Sequence, residues 1–298
     1  SGTELKIFNG LFEEEQSLDT TIIEMKDCSM EYPLKYGYSL VGRVRRCGTN
    51  VCSSYRDKLV FTFSCHASRT IVHKDSIHLI PSGIDPEDAI FFPSVETAVS
   101  IVQDANLRVG ENVGVFGQGL IGLLVTYILC SSSSSLLIDG GSFGRVSVFD
   151  TIPDRLALAS CLGASEALLP DDITKGLLFD VCIEVSGNEH ALQSAIDKTI
   201  NGGRVVIASW YGNKNVRLKL GTAFHRSHKT LIASQVSEIP ASLRMTWTKS
   251  RRFALTWELL RKMRPSKNLL TKTVSIQDAQ IAYELLNRGK EIAVAIKY

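Results

Sequence analysis

Gly117-Gln118-Gly119-Leu120-Ile121-Gly122 follows the apolar run Val113-Gly114-Val115-Phe116 and opens a second apolar stretch that reaches Cys130. Strand, then G-x-G-x-x-G, then helix is the context that gives an otherwise weak glycine pattern its meaning. Each glycine answers a physical demand. The first makes a tight turn, the second lets a pyrophosphate approach the backbone, and the third lets helix and strand pack closely. The start of the helix then offers free N–H groups and the positive end of its dipole to the anion. The pattern predicts a dinucleotide site built on Gly117, Gly119, Leu120, Ile121 and Gly122.

Such a site needs an acidic residue about 20 positions on, at the end of the second strand, to accept hydrogen bonds from the adenosine ribose. Asp150 ends the run Val146-Ser147-Val148-Phe149 but lies 33 positions after Gly117. The surplus nearly matches a Ser-Gly-rich segment at 131–144, read as a surface insertion between helix and strand. Asp150 has a second reading, as the cap of a helix starting near Pro153, and both roles are compatible. A carboxylate there repels a 2′-phosphate, so the expectation is NAD, with NADP less favoured. Ser186 and Gly187, at the end of the apolar strand 180–185, complete the expected cofactor set.

Strands and helices alternate from Ser94 to about residue 236, and the strands are apolar throughout. That implies an α/β domain with a parallel sheet covered on both faces. Residues 1–93 instead carry short β-type runs at 39–44, 58–63 and 70–73, broken by Gly, Pro and Asn, which suggest a small barrel or folded-over sheet. The tail, 237–298, is mixed. Its basic run Arg251, Arg252, Arg261, Lys262 and Arg264 accompanies Phe253, Trp257 and Leu260, and reads as the wet face of an amphipathic helix.

Composition removes several alternatives. With 44% hydrophobic residues the chain has material for a core, so a disordered chain is excluded. A net charge of +2 gives no electrostatic reason to expect nucleic acid or a membrane surface. Seven cysteines without a C-x-x-C read as reduced thiols, consistent with a cytoplasmic location. The charge-free stretch 113–138 has the length of a membrane span. Its glycines fall where a strand would turn into a helix, so a buried strand and a sheet-packed helix are expected instead.

Together, Ser1-Gly2-Thr3-Glu4-Leu5-Lys6, the segment 32–44 (YPLKYGYSLVGRV), the glycine unit and the closing strand make the chain resemble the medium-chain dehydrogenase/reductase superfamily. The likeness is to its alcohol, sorbitol and threonine dehydrogenase branch and covers essentially the whole sequence. It implies a GroES-like β-rich catalytic domain over 1–93, a Rossmann domain over 94–236 and a return to the catalytic domain over 237–298. The family usually carries further strands before this point, so the catalytic domain is expected to be N-terminally incomplete. The resemblance also implies a small-molecule substrate in the cleft between the domains, and a homodimer paired through the edge strand at 230–236.

The departures bear on chemistry. Where zinc-dependent relatives place a Cys, a His and a Glu as ligands, this chain has Ser1, Tyr38 and Phe92. Zinc is bound by thiolate, imidazole or carboxylate, so no zinc is expected. Thr3 then matches the family's proton-relaying hydroxyl, Lys6 takes the place of a relay His, and Tyr38 replaces a ligand with a phenol. A Tyr beside an ammonium is a workable general acid; it is equally readable as a wall residue with its hydroxyl on a carbonyl. The expected function is a zinc-independent NAD(P)(H)-dependent oxidoreductase acting on an alcohol, a carbonyl or a conjugated carbonyl. The rival is a family member that binds the dinucleotide and has lost the chemistry.

Overall fold

The computed structural model describes residues 2–12, 31–131, 144–174 and 176–298; Ser1, Cys28 and nearly all of the expected insertion lie outside them. By internal contacts the chain forms two compact units, 1–93 with 253–298, and 94–252.

The first unit opens with a helix, α1 (Gly2–Phe8), in a segment whose sequence suggested only a polar start. Glu4 lies in its first turn and Lys6 in its last, each at the end of the dipole that favours it. Ile7 anchors the helix in a small cluster with Phe12, Leu34 and Tyr36. Strands β1 (Leu40–Arg43), β2 (Leu59–Thr62) and β3 (His78–Leu79) form an antiparallel sheet. The strand expected at 70–73 does not form. Ile71 there is fully exposed, so the β-type run has no buried face to hold it. Short α2 (Pro86–Ala89) and the start of α3 (Phe92–Ala105) follow.

The second unit alternates as its sequence predicts, with one unexpected short strand, β6: β4 (Val113–Phe116), α4 (Leu120–Ser131), β5 (Val146–Phe149), α5 (Pro153–Cys161), β6 (Glu166–Leu168), β7 (Phe179–Glu184), α6 (Glu189–Lys198), β8 (Thr199–Ile207) and β9 (Thr230–Ala233). All pairings are parallel, in the order β6-β5-β4-β7-β8-β9. Every residue of β4 and β5 is buried, which is why neither strand alternates polar with apolar. Between β4 and β7 the strand order reverses direction, the place where open parallel sheets bind ligands beyond their strand ends. Phe116 stacks on Phe149, which meets Phe179 edge-on, in the core beside this point.

The charge-free stretch thus becomes β4 and the twelve-residue α4, and no helix among the described residues is long and apolar enough to cross a membrane. The chain continues into α7 (Lys249–Met263), β10 (Leu270–Ser275), α8 (Ala279–Asn287) and β11 (Ala293–Lys297), the last two strands pairing in parallel. One expected wet-face residue is not wet. Arg252 is fully buried, with Nε 3.0 Å and Nη2 2.8 Å from Glu96 Oε1 and Nη1 on the Glu238 carbonyl. A buried guanidinium persists only when paired and hydrogen-bonded in this way.

Candidate functional site

The turn from β4 into α4 is shaped by what its glycines exclude. Gly117 has φ +103°, a conformation that side chains disfavour, and a Cβ there would lie 2.8 Å from the Ser186 backbone. At Gly122 a Cβ would come within 1.9 Å of the Gly117 carbonyl oxygen, so helix and turn touch directly. Gly119 is the opposite case: a Cβ there meets nothing within 4 Å. The space beside Gly119 is open, next to the first-turn amides of Leu120, Ile121 and Gly122, which have no carbonyl four residues back to bond within the helix. This cradle fits the pyrophosphate of a dinucleotide, and these backbone groups would hold it.

Gln118, between the first two glycines, is fully buried and braces the turn. Its Nε2 donates to the Gly117 carbonyl at 3.0 Å, and its Oε1 accepts from Thr126 Oγ1 at 3.0 Å. The variable position of a glycine motif carries no sequence signal for that role. Asp150 sits at the end of β5, 9% exposed. Its Oδ2 accepts the Gln118 amide at 2.6 Å and its Oδ1 the Ile152 amide at 2.9 Å, ahead of α5. Arg155 Nη1 lies 3.9 Å from the same carboxylate.

Ser186 and Gly187 form the loop after β7, and a residue not singled out in the sequence fixes them. Glu184 is fully buried. Its Oε1 accepts from the Ser186 amide at 2.6 Å, the Ser186 hydroxyl at 2.7 Å and the Gly187 amide at 2.8 Å. Nearby Tyr211 has its phenol pKa pushed up, first by burial and then by the Glu184 charge. An acidic residue inside an apolar strand is the signal that marks such a carboxylate.

In the other unit the positions aligned with zinc ligands do not suit a metal. Phe92 is fully buried in an aromatic cluster, with ring centroids 4.4 Å from Trp257, 4.9 Å from Phe61 and 5.1 Å from Phe253. His78 belongs to that cluster, packed on Phe253 at 5.1 Å. Beside Tyr38, the Ser39 hydroxyl donates to the Ile90 carbonyl at 2.6 Å. Ser1 lies outside the described residues, among which no three His, Cys, Asp or Glu side chains gather as a metal site would need.

Thr3 and Lys6 stand three residues apart on α1 and therefore share a face. Tyr38 precedes β1 and meets Tyr36 edge-on, with centroids 6.0 Å apart. Between these two segments lies a pair that the sequence did not reveal: His66 Nε2 is 3.0 Å from Glu4 Oε1. Cys65, its chain neighbour, instead bonds the Lys35 carbonyl. Tyr283 stacks on Phe8 at 4.6 Å, and its pKa is pushed up by burial and then by the Glu4 charge. Tyr298 is raised for the same two reasons.

Comparison with known proteins agrees with this architecture. The zinc-binding dehydrogenase family matches residues 139–254. D-guloside 3-dehydrogenase of Escherichia coli K12 is 27% identical over 236 residues, 75% of this chain and 65% of that protein. The chain is thus similar to dehydrogenases of the medium-chain dehydrogenase/reductase superfamily. Its match to this relative stops short of two thirds of the relative's length. Two solved structures share the medium-chain dehydrogenase/reductase fold with it. A zinc-binding dehydrogenase of Sinorhizobium meliloti 1021 bound to NADP superposes with TM-score 0.75 at 16% identity, covering 100% of this chain and 89% of that one. A protein of E. coli CFT073 described as a short chain alcohol dehydrogenase complexed with NADH gives TM-score 0.69 at 17% identity, covering 87% and 82%. The GroES-like plus Rossmann architecture of this superfamily is therefore the fold of the chain.

Proposed function

We propose that the protein is a zinc-independent, nicotinamide-dinucleotide-dependent oxidoreductase acting on an alcohol, a carbonyl or a conjugated carbonyl. The observation that carries this reading is the cradle at Gly117–Gly122, closed where a side chain would break it and open beside Gly119, on a chain similar to dehydrogenases. The dinucleotide, when bound, supplies or accepts the hydride. The chain supplies the anion cradle, with the Asp150 carboxylate at the end of β5, and that negative charge favours NAD(H) over its 2′-phosphorylated form.

The chemistry of the donors supports metal independence. At the three ligand positions Ser1, Tyr38 and Phe92 offer a hydroxyl, a phenol and a phenyl ring buried in a core, all poor partners for zinc. Charge on the substrate oxygen must then be met by hydrogen bonds. Thr3 and Tyr38 are the hydroxyls assigned to that oxygen, with the Lys6 ammonium supporting them.

The same donor set favours a second reading, a protein that binds the dinucleotide without turning anything over. Two measurements separate the readings. Energy transfer from protein to nicotinamide should report NADH binding in either case. Oxidation of NADH by a panel of aldehydes and quinones should occur only if the chemistry is kept, and binding without any turnover would establish the second reading.

A further inference from the structure

We propose that His66 is the proton-exchanging catalytic residue of this reaction and that Glu4 is the residue that positions it. This rests on the oxidoreductase reading above. The Nε2 of His66 lies 3.0 Å from Glu4 Oε1, with the imidazole side chain 28% and the carboxylate 17% exposed. The ring is thus held by a charged acceptor yet open to a small molecule. The chain around it is built to admit that ring. Gly37 has φ +123°, and a Cβ on it would lie 2.8 Å from His66 Cδ2 and from the His66 amide nitrogen. The His66 amide in turn donates to the Tyr36 carbonyl at 3.0 Å.

Position gives the pair its meaning. Glu4 stands between Thr3 and Lys6 on α1, and His66 lies against Tyr36 and against Gly37, the chain neighbour of Tyr38. The pair therefore ties together the two segments that supply the substrate-binding hydroxyls. Bonded through Nε2 to a carboxylate, the neutral imidazole carries its proton on Nε2 and leaves Nδ1 as acceptor. A second-partner carboxylate fixes a tautomer in this way in other acid–base sites.

The step balances without a metal. In the alcohol-to-carbonyl direction the O–H bond breaks and its proton passes to His66 Nδ1. The O–H electron pair becomes the second bond of C=O, and the hydride given up by the carbon would be taken by the oxidised dinucleotide, which the Gly117–Gly122 turn would hold. The imidazolium that results faces the Glu4 carboxylate, and its exposed edge passes the proton to water. Reduction runs the same path backwards.

The test uses the full chain. First, NADH oxidation against the aldehyde and quinone panel is compared for the unmodified protein, His66→Gln, His66→Ala and Glu4→Gln, with NADH affinity measured for each. Both His66 variants should lose roughly 10²–10⁴-fold in turnover at unchanged NADH affinity. Added imidazole should restore part of the rate to His66→Ala, which a purely structural tie would not allow. Glu4→Gln should lower the rate and shift its pH profile. Wild-type turnover in both His66 variants overturns the proposal while leaving the oxidoreductase reading intact. An unmodified protein that binds NADH and turns nothing over overturns both. Second, long-range proton–nitrogen NMR of the unmodified protein should find neutral His66 protonated on Nε2. A proton on Nδ1 instead would contradict the assignment whatever the activity.

Discussion

The Gln118 amide donates to Asp150 Oδ2 at 2.6 Å, so the carboxylate at the end of β5 is part of the glycine turn proposed to hold a pyrophosphate. In the proposed cofactor site this one residue would serve two purposes, bracing the loop and placing a negative charge where the adenosine ribose would lie. Asp150→Asn keeps an acceptor and loses the charge, so it should relax the NADH-over-NADPH preference by more than it weakens NADH binding. Asp150→Ala removes the brace as well and should weaken both. Gly119→Val places a side chain in the open space beside α4 and should abolish binding of both. Fluorescence titration with each cofactor checks the set, and an unchanged preference in Asp150→Asn would show that the carboxylate faces away from the ribose.

Acid stability should depend on Glu111. Arg204 grips its carboxylate through Nη1 at 3.0 Å and Nη2 at 2.5 Å. Burial works to raise the pKa of Glu111, and the Arg204 bonds outweigh it, leaving the pKa below the ordinary glutamate value. A carboxyl lowered by folding stabilises fully above its unfolded pKa of about 4.3 and loses that contribution as the pH falls through the lower folded value. Glu111→Gln should therefore flatten the fall in melting temperature below about pH 4.5. A fall as steep as wild type would mean that other carboxylates govern acid unfolding.

The aromatic cluster around Phe92 should dominate the stability of its unit. Phe92→Ala leaves a cavity among Phe61, Phe253 and Trp257 and should cost about 3–5 kcal/mol in chemical denaturation. A loss below about 1 kcal/mol would mean that the cluster collapses to fill the space.

Thiol reactivity should be graded by burial. Cys52 is exposed, and its bond with Ser54 lowers its pKa, whereas burial pushes Cys130 up to about 11 and Cys182 up to about 12. Alkylation near pH 8 followed by peptide mapping should label Cys52 early and leave Cys182 untouched. Early labelling of Cys182 would reveal that its sheet opens readily.

β9 pairs with β8 on one side, and among the described residues no strand pairs with the other. An open edge of this kind is an aggregation liability unless paired, and we propose that a second copy of the chain pairs with it. Light scattering at micromolar concentration should give twice the chain mass of 32.8 kDa. A monomer would mean that the edge is covered otherwise.

The parallel sheet was legible in the sequence because its strands are buried on both faces and its glycine turn follows one of them directly. The three-residue β6 was not, since Glu166–Leu168 is too short to show a period. Arg252 was misread because a lone arginine on a helix face shows nothing of Glu96, 156 positions away, which pays for its burial. The pairing of His66 with Glu4 escaped for the same reason, the two being 62 positions apart. Positions fixed by local pattern are readable in one sequence; partnerships between distant charged residues are not.

The central claim is hydride chemistry without zinc, and turnover under chelation tests it most directly. The protein is freed of metal with a strong chelator, its zinc content is confirmed to be well below one atom per chain, and NADH oxidation is followed with aldehydes and quinones. Metal-free protein should oxidise NADH with at least one of them, and added zinc should not raise the rate. Turnover that vanishes with the metal and returns with zinc would contradict it.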